Sequence, residues 1–375
     1  KAAIQEVVDS GRLTMGPKVA EFEAAFAQYF GRKHAVMANS GSSANLIGIA
    51  SLFHRSKNPL QRGDEIIVPA IAWSTTYFPL QQYGLKLRFV DVNLDTLNID
   101  VCQLDKAING KTRMIVGVSI LGNPAALDKI RNFADQNQLI FFEDNCESMD
   151  AELGDKKAGT FGDIGTFSTF FSHHISTVEG GVLTTDDDEL NAIARSVRAH
   201  GWTRDMEEQT NLYKRRDDDF YEAYRFILPG YNLRPQEINA AIGIEQLKKL
   251  PSMTEVRRKN FTYFRDQFKD DDRYICQQEN GKSSCFSFTL IINPKNNIDR
   301  NKVFRALKKE GIGYRMITGG CFPRHDVIKH FEYELVGEMT NGNLAHDNGF
   351  FVGNHPFDLS PKIERFRKIM DEVDN

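Results

Sequence analysis

Two adjacent histidines, His173 and His174, lie in the polar, glycine-edged stretch FSHHISTVEGG (171–181). Imidazole titrates close to neutrality, so either ring could take up a proton and return it. A second group of reactive types closes the run FFEDNCE (141–147), where an apolar strand pattern breaks into Asp144, Asn145 and Glu147. Strand ends of this kind are where α/β sheets present groups to ligands. A carboxylate at Asp144 could keep a ring nitrogen protonated; capping of a helix by Asp144 or Asn145 would use the same residues. NSGSSAN (39–45), with Gly41 and Ser42 at its centre, follows a strand pattern and opens a helix. Amides at a helix start suit a phosphate, although a plain capping turn needs nothing more. Ser168 closes another strand pattern shortly before His173, within reach of the same phosphate. Trp73, one of two tryptophans, could offer a stacking face or simply fill core.

These residues need a frame, and the pattern of the chain supplies one. Short β-branched runs at 34–38, 65–68, 87–90, 114–118, 139–143, 166–168 and 182–185 read as strands. Helical patterns at 43–53, 71–82, 126–137 and 188–200 alternate with them, which is the signature of an α/β domain with a mostly parallel sheet. A further helix over 236–250 is expected to stop at Pro251. Beyond it the texture changes to helices at 254–268, 299–310 and 361–373 around an alternating strand at 284–292, a smaller α+β unit. The acidic run 270–272 reads as a solvated turn.

The chain has 375 residues, enough for more than one lobe, and its 41% hydrophobic and 26% charged residues are those of an ordinary globular protein. A net charge of −4 offers no basic field for nucleic acid. No apolar run approaches the roughly 18–20 residues that cross a bilayer, and the first residues lack a signal-peptide pattern, so a cytoplasmic enzyme with no membrane association is expected. Cys102, Cys146, Cys276, Cys285 and Cys321 are scattered without Cys-x-x-Cys spacing, which suggests buried thiols and no metal site.

Taken in order, GRLTMGPKVAEFE (11–23), the turn at 39–45, FFEDNCE, FGDIGTFS (161–168), FSHHISTVEGG and GYNLRPQEINAAIG (230–243) resemble the motifs of the DegT/DnrJ/EryC1/StrS family of sugar aminotransferases. The likeness spans roughly residues 10–250 with specific motifs. It implies an aspartate aminotransferase-like (fold type I) α/β large domain over 1–250 that binds pyridoxal 5'-phosphate (PLP). It also implies a smaller C-terminal domain over 251–375, and a homodimer with shared active sites. Gly41, Ser42 and Ser168 would hold the phosphate, Trp73 the ring face and Asp144 the pyridine nitrogen, with Glu147 close by. Asn232 would reach the phosphate of the neighbouring subunit.

The family pattern K-x-[IL]-[ST]-x-x-E-G-G places its Schiff-base lysine in the register of His173; the count back to Glu179 favours His173 over His174. Lys156 and Lys157 precede FGDIG, in a surface loop of the motif. Histidine has no primary amine to tether the cofactor and keeps only the proton-shuttle role. The resemblance therefore implies removal of the C3 hydroxyl from GDP-4-keto-6-deoxy-D-mannose, a deoxysugar step of colitose and O-antigen lipopolysaccharide synthesis. L-Glutamate would convert PLP to pyridoxamine 5'-phosphate, and ammonia would leave on hydrolysis. A nucleotide-sugar aminotransferase, a CDP-sugar 3-dehydratase or an inactive cofactor-binding relative are the alternatives. The CDP-sugar dehydratases carry an iron–sulfur cluster, which needs four grouped ligands; the scattered cysteines imply none here. Thr14 and Met15 of the opening motif, His200 and Arg204 of RAHGWTR (198–204), and Arg315 are candidates for the substrate. Arginine suits a diphosphate through paired bonds, while surface salt bridging by Arg204 and packing by His200 are the plainer readings.

Overall fold

The computed structural model describes residues 1–204, 206, 210 and 212–373. Twelve principal strands run in chain order as β1 (His34–Ala38), β2 (Glu65–Pro69), β3 (Lys86–Val90), β4 (Thr112–Val118), β5 (Ile140–Asp144), β6 (Ile164–Ser168), β7 (Gly181–Thr185), β8 (Tyr274–Cys276), β9 (Ser287–Ile292), β10 (Tyr314–Met316), β11 (Tyr333–Val336) and β12 (Gly349–Gly353). Eight form one sheet in the order β1-β7-β6-β5-β4-β2-β3-β11. β7 is antiparallel to both its neighbours, and every other pairing in the sheet is parallel. β2, β5, β6 and β7 are buried at every residue. That burial explains why their sequences show no strict polar–apolar alternation, with polar residues such as Glu65, Asp144 and Ser168 at strand ends. Helix Gly41–His54 packs on β6 and β7 and against helix Asp188–Arg198, closing one face of the sheet.

A second sheet, β8-β9-β12-β10, is antiparallel throughout. Its core joins Phe288, Leu290 and Phe350 to Phe264 and Phe268 of the long helix Leu250–Phe268 and to Phe366 of helix Ser360–Glu372.

Several expectations need correction. The helix expected over 236–250 ends at Leu247, and Pro251 instead sits in the first turn of Leu250–Phe268. A proline is tolerated there because its missing N–H would have no helical partner. β11 leaves the C-terminal third of the chain to pair with β3 in the large sheet. Its first three residues are exposed, and its short alternating run, Tyr333-Glu334-Leu335, is missing from the expected strands. The acidic run is more than a solvated turn: Asp271 is nearly buried and pairs with Arg273 at 2.7 Å and Arg367 at 2.5 Å. Burial opposes the charge, yet the bonds from both guanidinium groups hold that carboxyl down to about 2. The thiols are not uniformly buried either: Cys102 is exposed and Cys146 half-buried. No helix among the described residues is long and apolar enough to cross a membrane.

Candidate active site

A cavity of about 840 Å³ opens where the C-terminal ends of β5 and β6 and the start of helix Gly41–His54 face the second sheet. The chain leaves β1, Ser40 caps the helix by accepting from Ser43 N at 3.0 Å, and Gly41 and Ser42 form the cavity wall. A Cβ on Gly41 would stand 2.6 Å from the Ser168 Cβ and 3.1 Å from the Cys146 Sγ. Only glycine lets the helix start approach the end of β6 this closely. Ser168 itself faces the cavity beside that turn.

Asp144 ends β5 and is 4% exposed. Its Oδ2 accepts from Thr76 Oγ1 at 2.7 Å and Asn45 Nδ2 at 2.9 Å, and its Oδ1 from Cys146 N at 3.1 Å. Asn45 is in turn oriented by Thr166 Oγ1, which donates to its Oδ1 at 2.6 Å. Four elements therefore fix one carboxylate on the cavity wall. Glu147, one turn further on, accepts from Leu121 N at 3.0 Å and Thr318 Oγ1 at 3.1 Å. Burial pushes its carboxyl up to about 7; the Asp144 charge adds to this and the two bonds pull back. Both donors stand in the left-handed region, Leu121 at φ 53° and Thr318 at φ 39°, which is costly for a branched side chain.

The two histidines diverge. His173 lines the cavity, with Nδ1 2.8 Å from the Cys146 carbonyl oxygen. A carbonyl only accepts, so Nδ1 carries the hydrogen and Nε2 keeps its lone pair. Burial pulls the pKa of His173 below the ordinary imidazole value, against upward pulls from the Cys146 carbonyl and Asp144. Burial thus favours the neutral ring, with Nε2 open to the cavity as a base. His174 is 2% exposed, lies off the cavity and turns Nε2 toward the Ser284 carbonyl at 3.2 Å.

Trp73 is 55% exposed and on the cavity wall, so it is not core. Arg315, on β10, reaches the cavity from the second sheet. Thr14, Met15, His200, Arg204 and Asn232 do not line it. Thr14, His200 and Asn232 are linked to one another's segments instead: Thr14 bridges Gln236, Ala199 bridges Asn232, and His200 N donates to the Tyr231 carbonyl at 2.7 Å. His200 takes φ 67°, a left-handed turn. Arg204 is exposed, with its guanidinium 5.1 Å from the Trp202 ring and no ion pair among the described residues. Asn45, Thr76, Thr318 and His355 also reach the cavity and were not anticipated. Asn45 left one trace, a polar residue on an apolar helix; the other three had none.

The wall fits a flat, phosphate-bearing heteroaromatic group such as PLP. The turn at Gly41 is a cradle that any side chain would fill. Asp144 is a buried carboxylate facing the space, with acceptor capacity beyond its three donors. The exposed face of Trp73 completes the arrangement.

Known proteins agree with this geometry. Over 370 residues the chain is 49% identical to GDP-4-keto-6-deoxy-D-mannose 3-dehydratase of Yersinia pseudotuberculosis, covering 98% of this chain and 94% of that protein. The Escherichia coli enzyme of that name, solved with bound hydrated PLP, superposes with a TM-score of 0.96 at 48% identity, covering 98% and 95% of the two chains. A structure of GDP-4-keto-6-deoxymannose-3-dehydratase with a trapped PLP-glutamate geminal diamine matches equally, at 0.96 and 48% over 98% and 96%. The fold is that of the fold type I PLP enzymes. The model of the DegT/DnrJ/EryC1/StrS aminotransferase family matches residues 1–356, and the chain belongs to that family.

Proposed function

We propose that this protein is a PLP-dependent 3-dehydratase of GDP-4-keto-6-deoxy-D-mannose, with L-glutamate as amine donor and ammonia released on hydrolysis. The observation that carries the reading is His173: an imidazole whose Nδ1 is held by the Cys146 carbonyl stands on the cavity wall, in the register where the family motif has lysine. Without a primary amine, the protein holds the cofactor by contacts alone. Gly41, Ser42 and Ser168 would take the phosphate, Trp73 would offer its ring face and Asp144 would pair with the ring nitrogen. Glu147 would stand close by.

When bound, the cofactor supplies an amine for the 4-keto carbon and a ring that accepts electrons while the C3–O bond breaks. His173 takes the proton at Nε2. Its Nδ1–H bond to the Cys146 carbonyl fixes both tautomer and ring orientation through the transfer. Asp144, held by three donors, keeps its orientation toward the cavity without rearranging.

Thr14, Met15, His200, Arg204 and Asn232 serve the cavity of a second copy, in a homodimer with shared sites, since none lines the cavity of its own chain. Arg315 meets the sugar nucleotide from the same chain. Residues 1–250 form the PLP-binding domain and 251–375 the smaller one, and the enzyme works in the cytoplasm.

The test is a mass spectrum of the sugar nucleotide after incubation with PLP, glutamate and GDP-4-keto-6-deoxymannose. A product short of one oxygen, with ammonia released, is expected. A sugar that gained an amino group would make the protein an aminotransferase. Unchanged GDP-sugar alongside a converted CDP-sugar would move the assignment to the other nucleotide.

A further inference from the structure

Glu237 lies outside the cavity and has no part in the chemistry above. It opens helix Glu237–Leu247 and is 3% exposed. A buried carboxylate needs compensation, and here it comes from backbone amides 218–221 residues away in the chain. Gly16 N and Val19 N donate to Oε1 at 2.8 and 2.9 Å, and Lys18 N donates to Oε2 at 2.9 Å.

The local sequence explains why. Helix Pro17–Phe30 begins after Gly16, which has no side chain to cap it, and Pro17 has no N–H to offer. Glu237 takes the place of the missing cap and sits at the positive end of the helix dipole. The backbones are joined as well: Glu237 N donates to the Leu13 carbonyl at 3.2 Å, and Thr14 bridges Gln236. One carboxylate thus ties the turn at 13–16 to the turn at 232–236.

We propose that Glu237 is a positioning residue that holds these two turns as one unit, so that sugar-nucleotide binding and cofactor-phosphate binding strengthen each other. The inference rests on the functional reading, in which Thr14 and Met15 meet the sugar nucleotide and Asn232 meets the phosphate. Glu237→Gln tests it with almost no change of volume. An amide replaces one acceptor oxygen with a donor, so at least one of the three N–H groups loses its partner.

In the holoenzyme, Glu237→Gln should weaken GDP binding, read by calorimetry, roughly tenfold and raise KM for the GDP-sugar alike, with kcat within about threefold. GDP should tighten PLP binding to the unmodified protein, and by linkage the reverse; the variant should lose that coupling. Unchanged GDP affinity with coupling intact would overturn the proposal. So would parallel losses of kcat and melting temperature at constant KM, which mark a merely structural role.

A measurement on the unmodified protein avoids any folding defect. PLP alone should slow amide exchange across residues 13–19, and unaltered exchange there overturns the proposal. That readout involves no sugar. A protein that shows the protection but leaves the GDP-sugar unconverted would refute the dehydratase reading while sustaining the tie.

Discussion

The two walls of the cavity are built differently. On the large-sheet wall, Asp144 and Ser168 end strands that are buried throughout, and Asp144 is fixed by donors from three further segments. The opposite wall includes an exposed strand end at Arg315 and Met316 and a left-handed turn at Thr318, beside Phe351 and Asn354. Glu147 bonds to Thr318 across the gap. The rigid wall suits a permanent cofactor whose geometry must not vary, and the lightly tied wall suits a substrate that comes and goes.

Breaking the rigid wall should cost most. His173→Asn removes the base at Nε2 and should lower kcat by roughly 10²–10⁴. PLP absorbance titration should show the cofactor still bound. Retained turnover would mean that another group moves the proton. Asp144→Asn keeps the shape but not the charge and should cost roughly 10²–10³ in kcat. Its effect should exceed that of any substitution at Arg315, measured under the same saturating substrate; the reverse order would undo the contrast between the walls.

The tie between the walls should show in stability against pH. The folded-state pKa of Glu147, about 7, lies above its ordinary value of 4.5. The folded state therefore holds this proton more tightly than the unfolded chain. The contribution is complete below pH 4.5 and is lost as pH rises through 7. His173, with its pKa depressed, acts in the opposite sense as pH rises toward its ordinary value. The informative quantity is thus the difference between parent and Glu147→Gln. Urea unfolding at pH 5 and pH 7 should show the parent losing about 2 kcal/mol more than the variant over that window. Parallel curves would place Glu147 in solvent. The smallest effect is expected at His174, off the cavity. His174→Gln should cost about 1–2 kcal/mol of stability, through the bond to the Ser284 carbonyl, and should leave kcat within a few-fold.

Much of the large sheet was legible because its strands are buried on both faces and read as apolar runs set off by turns. β11 was not, because its run is short and nothing local says that it joins β3, far away in the sequence, where Glu334 meets Arg88. The same division holds at the cavity. Gly41, Asp144, Ser168 and His173 stand at breaks in apolar patterns and could be picked out by type and place. Thr76 and Thr318 are ordinary threonines in sequence and become partners of Asp144 and Glu147 only through the meeting of distant elements. The acidic run misled for a related reason: its two arginine partners include Arg367, near the other end of the lobe.

By itself the sequence determined that the lysine register holds no amine, because covalent reactivity belongs to the side chain and not to its surroundings. It also determined that acid, hydroxyl and glycine types stand at the ends of strand patterns. The spacing to Glu179 pointed to His173, but only the tertiary structure decided which of its ring nitrogens is free. The deciding group is a backbone carbonyl 27 residues away. It alone decided that the carboxyl of Glu147 sits near neutrality, since burial is a property of the packed chain. It also set Thr14, His200 and Asn232 together and away from their own cavity, because β-bridges between segments far apart in sequence have no local signature.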